Sequence, residues 1–426
     1  MTTEKLPINP ARHTRLHERL LLNPVIGHVA GLLFILLGSQ IFTFGKITLE
    51  YDPNVINSQI TLALIYLGYA LLSRKLIRFP GGRSIPYSLS ISLSLMGLSI
   101  LVILALRFGY SRSTLFSGFA LIIIAQAANF LISRHYRNLK FAWIPYGESI
   151  PTFNDTNVVI RALEKPDLET TRYDGIIVDV DQELSNEWLR FIAKHSSTGL
   201  PVIATKSFIE ALSGKVSLNK LNIHDMDSFH PSQGYQLVKR AMDLLITILI
   251  LPLITPACII LALVIRLESK GPAMFIQERV GQKNKTFKMY KFRSMRICDD
   301  QTPRFADMDQ HRITRVGAII RKLRLDELPQ FINVFTGHMS LIGPRPEQPG
   351  FVEKFEEEVP FYSYRHTVKP GITGWAQVMQ GYATCTESTR EKVEHDFYYI
   401  KHLSLWLDLL IIIKTIRTVL TGFGAR

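Results

Sequence analysis

A membrane protein of mixed α and α/β class is what the sequence predicts, and three observations predict it. Four runs without a formal charge fall within the first 140 residues. The stretch 141–230 alternates strand-like and helix-like segments. The remainder, 231–426, opens with a proline-interrupted apolar segment and continues into the most basic part of the chain. Composition agrees. Of the 426 residues 47% are apolar and 20% charged, which excludes a disordered chain and is greasier than an ordinary soluble enzyme. The formal net charge of +13 suits anionic lipid, phosphorylated substrates or nucleic acid without choosing among them. Cys258, Cys298 and Cys385 are too widely spaced for a disulfide framework or a C-x-x-C zinc pattern, so a reducing, cytoplasm-facing catalytic part is expected.

The uncharged runs are 25–44, 59–72, 87–106 and 114–132. A spanning helix needs roughly 20 apolar residues; the second run reaches this only by extending to Ile56 and Ser73. In hydrocarbon each backbone group must bond within its own segment, so all four are expected to be helices. The first 24 residues are mostly polar and more apolar runs follow the first, so no cleaved signal peptide is expected. Lys5, Arg12, Arg15 and Arg19 precede the first run; Arg74, Lys75, Arg78 and Arg83 separate the second and third; Arg134, Arg137 and Lys140 follow the fourth. The first-to-second loop has only Lys46 against Glu50 and Asp52. Cationic loops stay in the cytoplasm, which puts the N-terminus and everything after residue 134 there. Arg107 and Arg112 are a mild dissent.

In 141–230, FAWIPYG, VVIRAL, DGIIVDV and PVIAT read as strands, and EWLRFIAKH and KSFIEALSG as helices. That alternation predicts a small Rossmann-like parallel sheet. No G-x-G-x-x-G follows the first strand, so the backbone cannot approach a pyrophosphate closely. A structural or regulatory module is expected.

The last 190 or so residues begin with Lys239, Arg240, Asp243 and the apolar run 244–265, with Pro252 and Pro256 near its middle. Each proline removes a helix hydrogen bond. One kinked spanning helix would carry everything after residue 266 across the membrane, with no further clear span to return it. A re-entrant helix–break–helix that enters and leaves by the cytoplasmic face is therefore expected. From Lys283 to Arg324, twelve lysines and arginines oppose four acids (Asp299, Asp300, Asp307, Asp309). Anionic headgroups alone could explain that excess, each cation near such a surface being worth about 1 kcal/mol. No nucleic-acid-reading motif is visible, so no nucleic-acid partner is expected.

Within RKLRLDELPQFINVFTGHMSLIGPRP, Asp326 and Glu327 stand among Arg321, Lys322 and Arg324 and between leucines. Nearby cations keep carboxylates ionised. An ionised aspartate is a competent nucleophile toward phosphorus, and a neighbouring carboxylate can hold Mg²⁺ together with substrate phosphates. The Gly343-Pro344-Arg345-Pro346 turn can present an arginine rigidly to a phosphate. These residues suggest metal-assisted phosphoryl chemistry at a membrane surface.

Here the chain resembles the bacterial polyprenyl-phosphate hexose-1-phosphate transferases, of the large monotopic phosphoglycosyl transferase family. The resemblance rests on KRAMD (239–243), the proline-broken insertion, FIQERVGQKNKTFKMYKFRSMR (275–296), LDELPQFINVFTGHMSLIGPRP (325–346), VKPGITGWAQV (368–378) and YYIKHLSLWLDLLIIIKTI (398–416). It implies Asp326 as nucleophile and Glu327 as Mg²⁺ ligand. It implies Arg321 and Arg345 as phosphate binders with Lys291 and Arg293 close by, and Pro370 and Gly371 shaping the nucleotide pocket. The family's membrane-breaking Ser-Pro pair appears as Thr255-Pro256, whose hydroxyl can serve the same role. The implied reaction moves hexose-1-phosphate from a UDP-sugar to undecaprenyl phosphate through a phosphosugar–aspartyl enzyme, releasing UMP. It would be the first membrane step of exopolysaccharide, capsule or O-antigen synthesis at the bacterial inner membrane. The sugar is not legible; the membrane and α/β portions offer surfaces for a homodimer.

Residues 403–420 suit a helix lying in the interface or packed on the catalytic domain. His366 and His395 are read as structural rather than as general bases, and the glutamates 356–358 as a solvated helix face. Two rival functions stay open. A glycosyltransferase releasing UDP would need a D-x-D metal motif, a spelling that Asp307-Met308-Asp309 has in a polar loop. A membrane scaffold regulating polysaccharide assembly would need no dyad.

Overall fold

The computed structural model describes residues 23–47, 52–76, 85–136, 139–147, 150, 158–169, 171, 173–221, 228–296, 312–380 and 386–421. Lys5, Arg12, Arg15, Arg19, Arg78, Arg83, Arg137, Cys298, Cys385, Asp299, Asp300, Arg304 and the Asp307-Met308-Asp309 spelling lie outside them. The chain forms two compact units, Met1–Ser213 and Gly214–Arg426.

The first unit holds the four expected apolar helices: α1 (Pro24–Phe44), α2 (Pro53–Leu76), α3 (Ile85–Leu106) and α4 (Arg112–Tyr136). By length and composition α1, α2 and α4 could cross a membrane, while the apolar stretch Ile91–Leu106 of α3 is shorter. Helix α1 starts as its sequence dictates, with Asn23 accepting from the Val25 N–H, Pro24 in its first turn, and Gly45 left-handed at its end. Helix α2 is longer than its uncharged run, because Arg74 and Lys75 continue its last turns.

The unit's sheet matches the predicted alternation. Strands β1 (Leu139–Trp143), β2 (Val158–Ala162), β3 (Gly175–Val178) and β4 (Val202–Ala204) are all parallel, in the order β2-β1-β3-β4. Helix α5 (Asn186–Ser197) supplies the crossover from β3 to β4 that parallel strands require, and α6 (Thr205–Ser213) follows β4 and packs Phe208 on the sheet. Each face has its own apolar cluster, one around Ile176, Trp188 and Phe191, the other around Phe141, Ile177 and Phe208.

The second unit begins at Gly214, ahead of the expected boundary at 231. Val216 donates to the Glu394 carbonyl and Trp375 Nε1 to Gly214 O, which fixes this lead-in to the unit's core. Helix α7 (Gln233–Glu268) runs unbroken with Pro252 and Pro256 inside it. The expected division into two helices is thus replaced by one continuous helix. Each proline deletes only its own donor, and Thr255 Oγ1 donates to the Leu251 carbonyl at 2.6 Å. The helix is long and apolar enough to cross a membrane and leaves Leu245, Leu249, Leu253 and Leu263 exposed.

A hairpin follows, β5 (Met274–Val280) with β6 (Thr286–Phe292), antiparallel. Then come α8 (Arg315–Lys322), a 3₁₀ turn at Leu325–Glu327, and α9 (Gln330–Thr336). Strand β7 (Ser340–Ile342) pairs in parallel with β8 (Gly371–Thr373), and α10 (Pro349–Glu358) lies between them in sequence. Short α11 (Trp375–Met379) precedes α12 (Thr386–Lys401) and α13 (Leu405–Thr421). Of the two readings for the C-terminal helix, the structure favours packing: Leu407, Leu410, Ile411 and Asp408 of α13 are buried. Glu356, Glu357 and Glu358 of α10 are exposed, as read.

Candidate active site

Thr314 caps α8 by accepting from the Gly317 N–H, and the helix ends at Lys322. Arg324 then takes a left-handed conformation (φ 58°), which turns the chain into Leu325–Glu327. Leu325 and Leu328 pack against the cluster of Ile265, Ala273, Phe292 and Ile320. Apolar residues on both sides of the dyad thus anchor the turn, and Asp326 and Glu327 are left for the site. Helix α9, which follows directly, is fastened to β6. Asn333 Oδ1 accepts from the Tyr290 N–H at 3.0 Å, and its Nδ2 donates to the Lys288 carbonyl at 2.7 Å. This bond pair fixes the dyad relative to Lys291 on the same strand.

Arg345 arrives from the other side, on the turn after β7, and donates from Nη2 to Glu327 Oε1 at 2.8 Å. Arg324 Nη1 lies 3.7 Å from the same oxygen. Asp326 is treated differently: its Oδ1 is buried and accepts no hydrogen bond. The two carboxylates therefore titrate apart. Burial opposes ionisation of Glu327, but Arg345 and then Lys291 override it and hold the carboxyl down at about 2. Burial and the Glu327 charge together push Asp326 above the usual aspartate value, against Lys291 and Arg345. The neighbouring cations lower Glu327 as expected, whereas at Asp326 burial and the Glu327 charge outweigh them and the shift is upward. Burial, with Arg345 adding to it, lowers the Lys291 ammonium to about 8.

Among the expected site residues, Asp326, Glu327, Arg345 and Lys291 come together. Arg321 sits half-buried in the last turn of α8; the guanidinium nearest Glu327 after Arg345's is Arg324's. Arg293 is turned to another task. Its terminal nitrogens donate to the carbonyls of Ser269 and Lys270 and to Ser269 Oγ, at 2.8–3.0 Å, closing the C-terminal end of α7. Pro370 and Gly371 lie against the arginine turn: Ser340 N donates to Pro370 O, and Gly371 N to Pro344 O. The approach is so close that a Cβ on Gly371 would fall 2.0 Å from Gly343 N, which is why glycine is needed there. Thr255 and Pro256 are exposed within α7.

Sequence reasoning named Arg324, two residues before Asp326, only as one of the nearby cations and not as a partner of Glu327. It also missed Glu347, just past the arginine turn, and Arg365, Asp396 and Arg279, which reach the turn from distant parts of the chain. The two histidines, read as structural, are both buried. Burial and Arg365 lower His366 to about 3, and burial lowers His395 to about 4, so both are neutral. His366 Nδ1 meets Asn284 Oδ1, and His395 Nδ1 meets Gly214 O.

The donors suit Mg²⁺. Among the described residues no three His, Cys, Asp or Glu converge as a metal cage. Mg²⁺ needs none, taking one or two carboxylates and completing its shell with substrate phosphates and water. Both arginines address Oε1 of Glu327 rather than Oε2, and Asp326 Oδ1 is unpartnered.

Comparison with known proteins follows this geometry. A family model described as bacterial sugar transferase matches residues 234–422. The UDP-N-acetylgalactosamine-undecaprenyl-phosphate N-acetylgalactosaminephosphotransferase of Aeromonas hydrophila is 43% identical over 418 residues, 97% of this chain and 99% of that protein. The UDP-glucose:undecaprenyl-phosphate glucose-1-phosphate transferase of Escherichia coli K12 is 43% identical over 184 residues, 42% of this chain and 40% of that one. The exopolysaccharide production protein PSS of Rhizobium leguminosarum is 40% identical over 191 residues, 43% of this chain and 96% of that protein.

Proposed function

The chain belongs to the bacterial sugar transferase family, and from that premise we propose that it transfers a sugar-1-phosphate from a UDP-sugar to undecaprenyl phosphate through a covalent bond to Asp326, releasing UMP. One observation carries the reading. Of two adjacent carboxylates, Glu327 is ionised and locked to Arg345, while Asp326 keeps a buried, unpartnered oxygen and a raised pKa. Environments that drive two carboxylates apart assign them different roles.

The ionised carboxylate of Asp326 attacks the phosphorus that carries the sugar. The bond from that phosphorus to the bridging oxygen breaks, and UMP leaves with the electron pair. Arg345 and Lys291 stand beside the dyad, where fixed positive charge offsets the charge that spreads over the transferring group. Next, an oxygen of undecaprenyl phosphate attacks the same phosphorus. The bond to Asp326 breaks, and its carboxylate is regenerated. Bound Mg²⁺, which Glu327 would hold, supplies charge neutralisation at the diphosphate.

For a chain with its catalytic part on the cytoplasmic face of the bacterial inner membrane, α7, continuous as it is, would have to kink where Pro252 and Pro256 remove donors and leave by the face it entered. Arg321, Pro370 and Gly371 would line the nucleotide side, and the sheet around β1–β4 would be a structural module of its own. The full-length Aeromonas relative makes UDP-N-acetylgalactosamine the first donor to try. Purified full-length protein, given undecaprenyl phosphate and a panel of UDP-sugars, should yield UMP with one of them. UDP as the product nucleotide would overturn the reading in favour of an ordinary glycosyltransferase.

A further inference from the structure

The turn that carries Arg345 has an unusual requirement. Pro344 and Pro346 flank the arginine and have no N–H. The segment can be held mainly through its carbonyl oxygens, and four in succession are held from outside. Pro344 O accepts from Gly371 N at 2.9 Å, Arg345 O from Arg365 Nη2 at 2.9 Å, Pro346 O from Arg279 Nη1 at 3.0 Å, and Glu347 O from Val280 N at 2.9 Å. Two of these four donors are guanidinium groups, whose charge strengthens the bond.

Each guanidinium is itself fixed. The Arg365 side chain is 1% exposed; it pairs with Asp396 at 2.9 Å and donates to Tyr362 Oη. Arg279 Nη2 donates to Gln277 Oε1 at 2.7 Å, and its Nη1 lies 3.5 Å from Glu347 Oε2, while Glu347 is also bound by Lys392. Burying so many ions brings little net stability compared with apolar packing. What they do provide is a main chain that cannot shift, directly behind the side chain that meets Glu327.

We propose that Arg365 and Arg279 are positioning residues for the transfer reaction, acting on the main-chain carbonyls of Arg345 and Pro346 to aim the Arg345 guanidinium at Glu327 and the donor phosphates. Arg365 does so through one nitrogen shared between Asp396 and Arg345 O, a geometry lysine cannot reproduce while keeping the Tyr362 bond. This inference rests on the proposed role of Arg345. A displacement on the order of 1 Å in such a group lowers turnover roughly 100-fold.

The test is a double-mutant cycle on the full-length protein in lipid vesicles, scoring UMP formation, with thermal unfolding recorded for every variant. Arg365→Lys alone should lower kcat for the UDP-sugar by roughly 30- to 100-fold. In an Arg345→Ala background the same change should cost less than about 3-fold, since there is no guanidinium left to aim. Equal losses in both backgrounds, or none in the first, would overturn the inference and leave Arg365 a structural residue. Full activity of Arg345→Ala would instead remove the role proposed for Arg345. Arg279→Gln, tested in the same two backgrounds, decides the matter should Arg365→Lys unfold.

Discussion

The sheet module of the first unit closes chiefly on hydrocarbon, with Phe141 and Phe208 edge to face at 5.0 Å beneath Ile177 and Ile203, and buries the acids Asp174 and Glu210 beside it. The second unit buries charge. Arg365 pairs with Asp396, Lys239 with Asp408 at 2.5 Å, Lys392 with Glu347, and Arg345 with Glu327. Asp408 also accepts from Tyr235 and Tyr399, tying α7, α12 and α13 together. Hydrocarbon gives stability by area and tolerates small shifts. Ion pairs out of water contribute little net stability, yet fix distances, because each charge left alone is heavily penalised. The contrast teaches where position matters: in the second unit, which contains the whole of the family match at 234–422.

The contrast breaks most sharply at the dyad. Asp326→Asn should reduce UMP formation on the order of 10,000-fold, while thermal unfolding stays as in the parent, since the amide removes a repelled, buried charge. Retained turnover would end the nucleophile assignment. Next in size is Asp408→Asn, which strands the Lys239 ammonium. It should destabilise the unit by about 3–5 kcal/mol in denaturant unfolding, and replacing both partners by Met and Leu should not restore the parent, because Tyr235 and Tyr399 lose the carboxylate that accepts from them. A single change worth under about 1 kcal/mol would mean that these ions are not held in place by each other.

The pH profile of kcat/KM sharpens the same point through the free enzyme. Asp326 must be ionised to attack, and its pKa is raised, so activity should climb over a range above that of an ordinary aspartate. Lys291 loses its charge as pH rises through about 8, so activity should fall beyond that, by up to about tenfold per unit. Lys291→Arg, charged throughout, should abolish the alkaline limb; a parent profile flat well past 8 would contradict the assignment. Smallest on turnover is Phe208→Ala. It should destabilise the sheet module by about 3–5 kcal/mol and leave UMP formation per folded molecule within about 2-fold of the parent. A large turnover loss there would dissolve the contrast.

Much of this was legible because the relevant physics is local. Uncharged runs and the alternation of strand-like with helix-like segments mark α1–α4 and β1–β4, and leucines on both sides of Asp326 and Glu327 mark an anchored polar turn. What failed to read needed long-range geometry. Nothing in KFRSM tells Arg293 that its carbonyl partners are Ser269 and Lys270 rather than a phosphate. Prolines signal a break in α7, but whether a helix survives two missing donors depends on its other bonds and on Thr255. Counting cations near Asp326 gave the Coulomb contribution and omitted burial, which turned out larger. Arg365 and Asp396 are unremarkable in the chain and meet only once α12 packs beside the segment 362–367.

Single-turnover incubation of the full-length protein with a UDP-sugar and no undecaprenyl phosphate tests the central claim most directly. Proteolysis and mass spectrometry of the quenched enzyme should find a hexose phosphate on the peptide containing Asp326, with one UMP released for each protein molecule modified. UMP that forms only after the lipid acceptor is added, with an unmodified Asp326 peptide throughout, would mean direct transfer and would contradict the account.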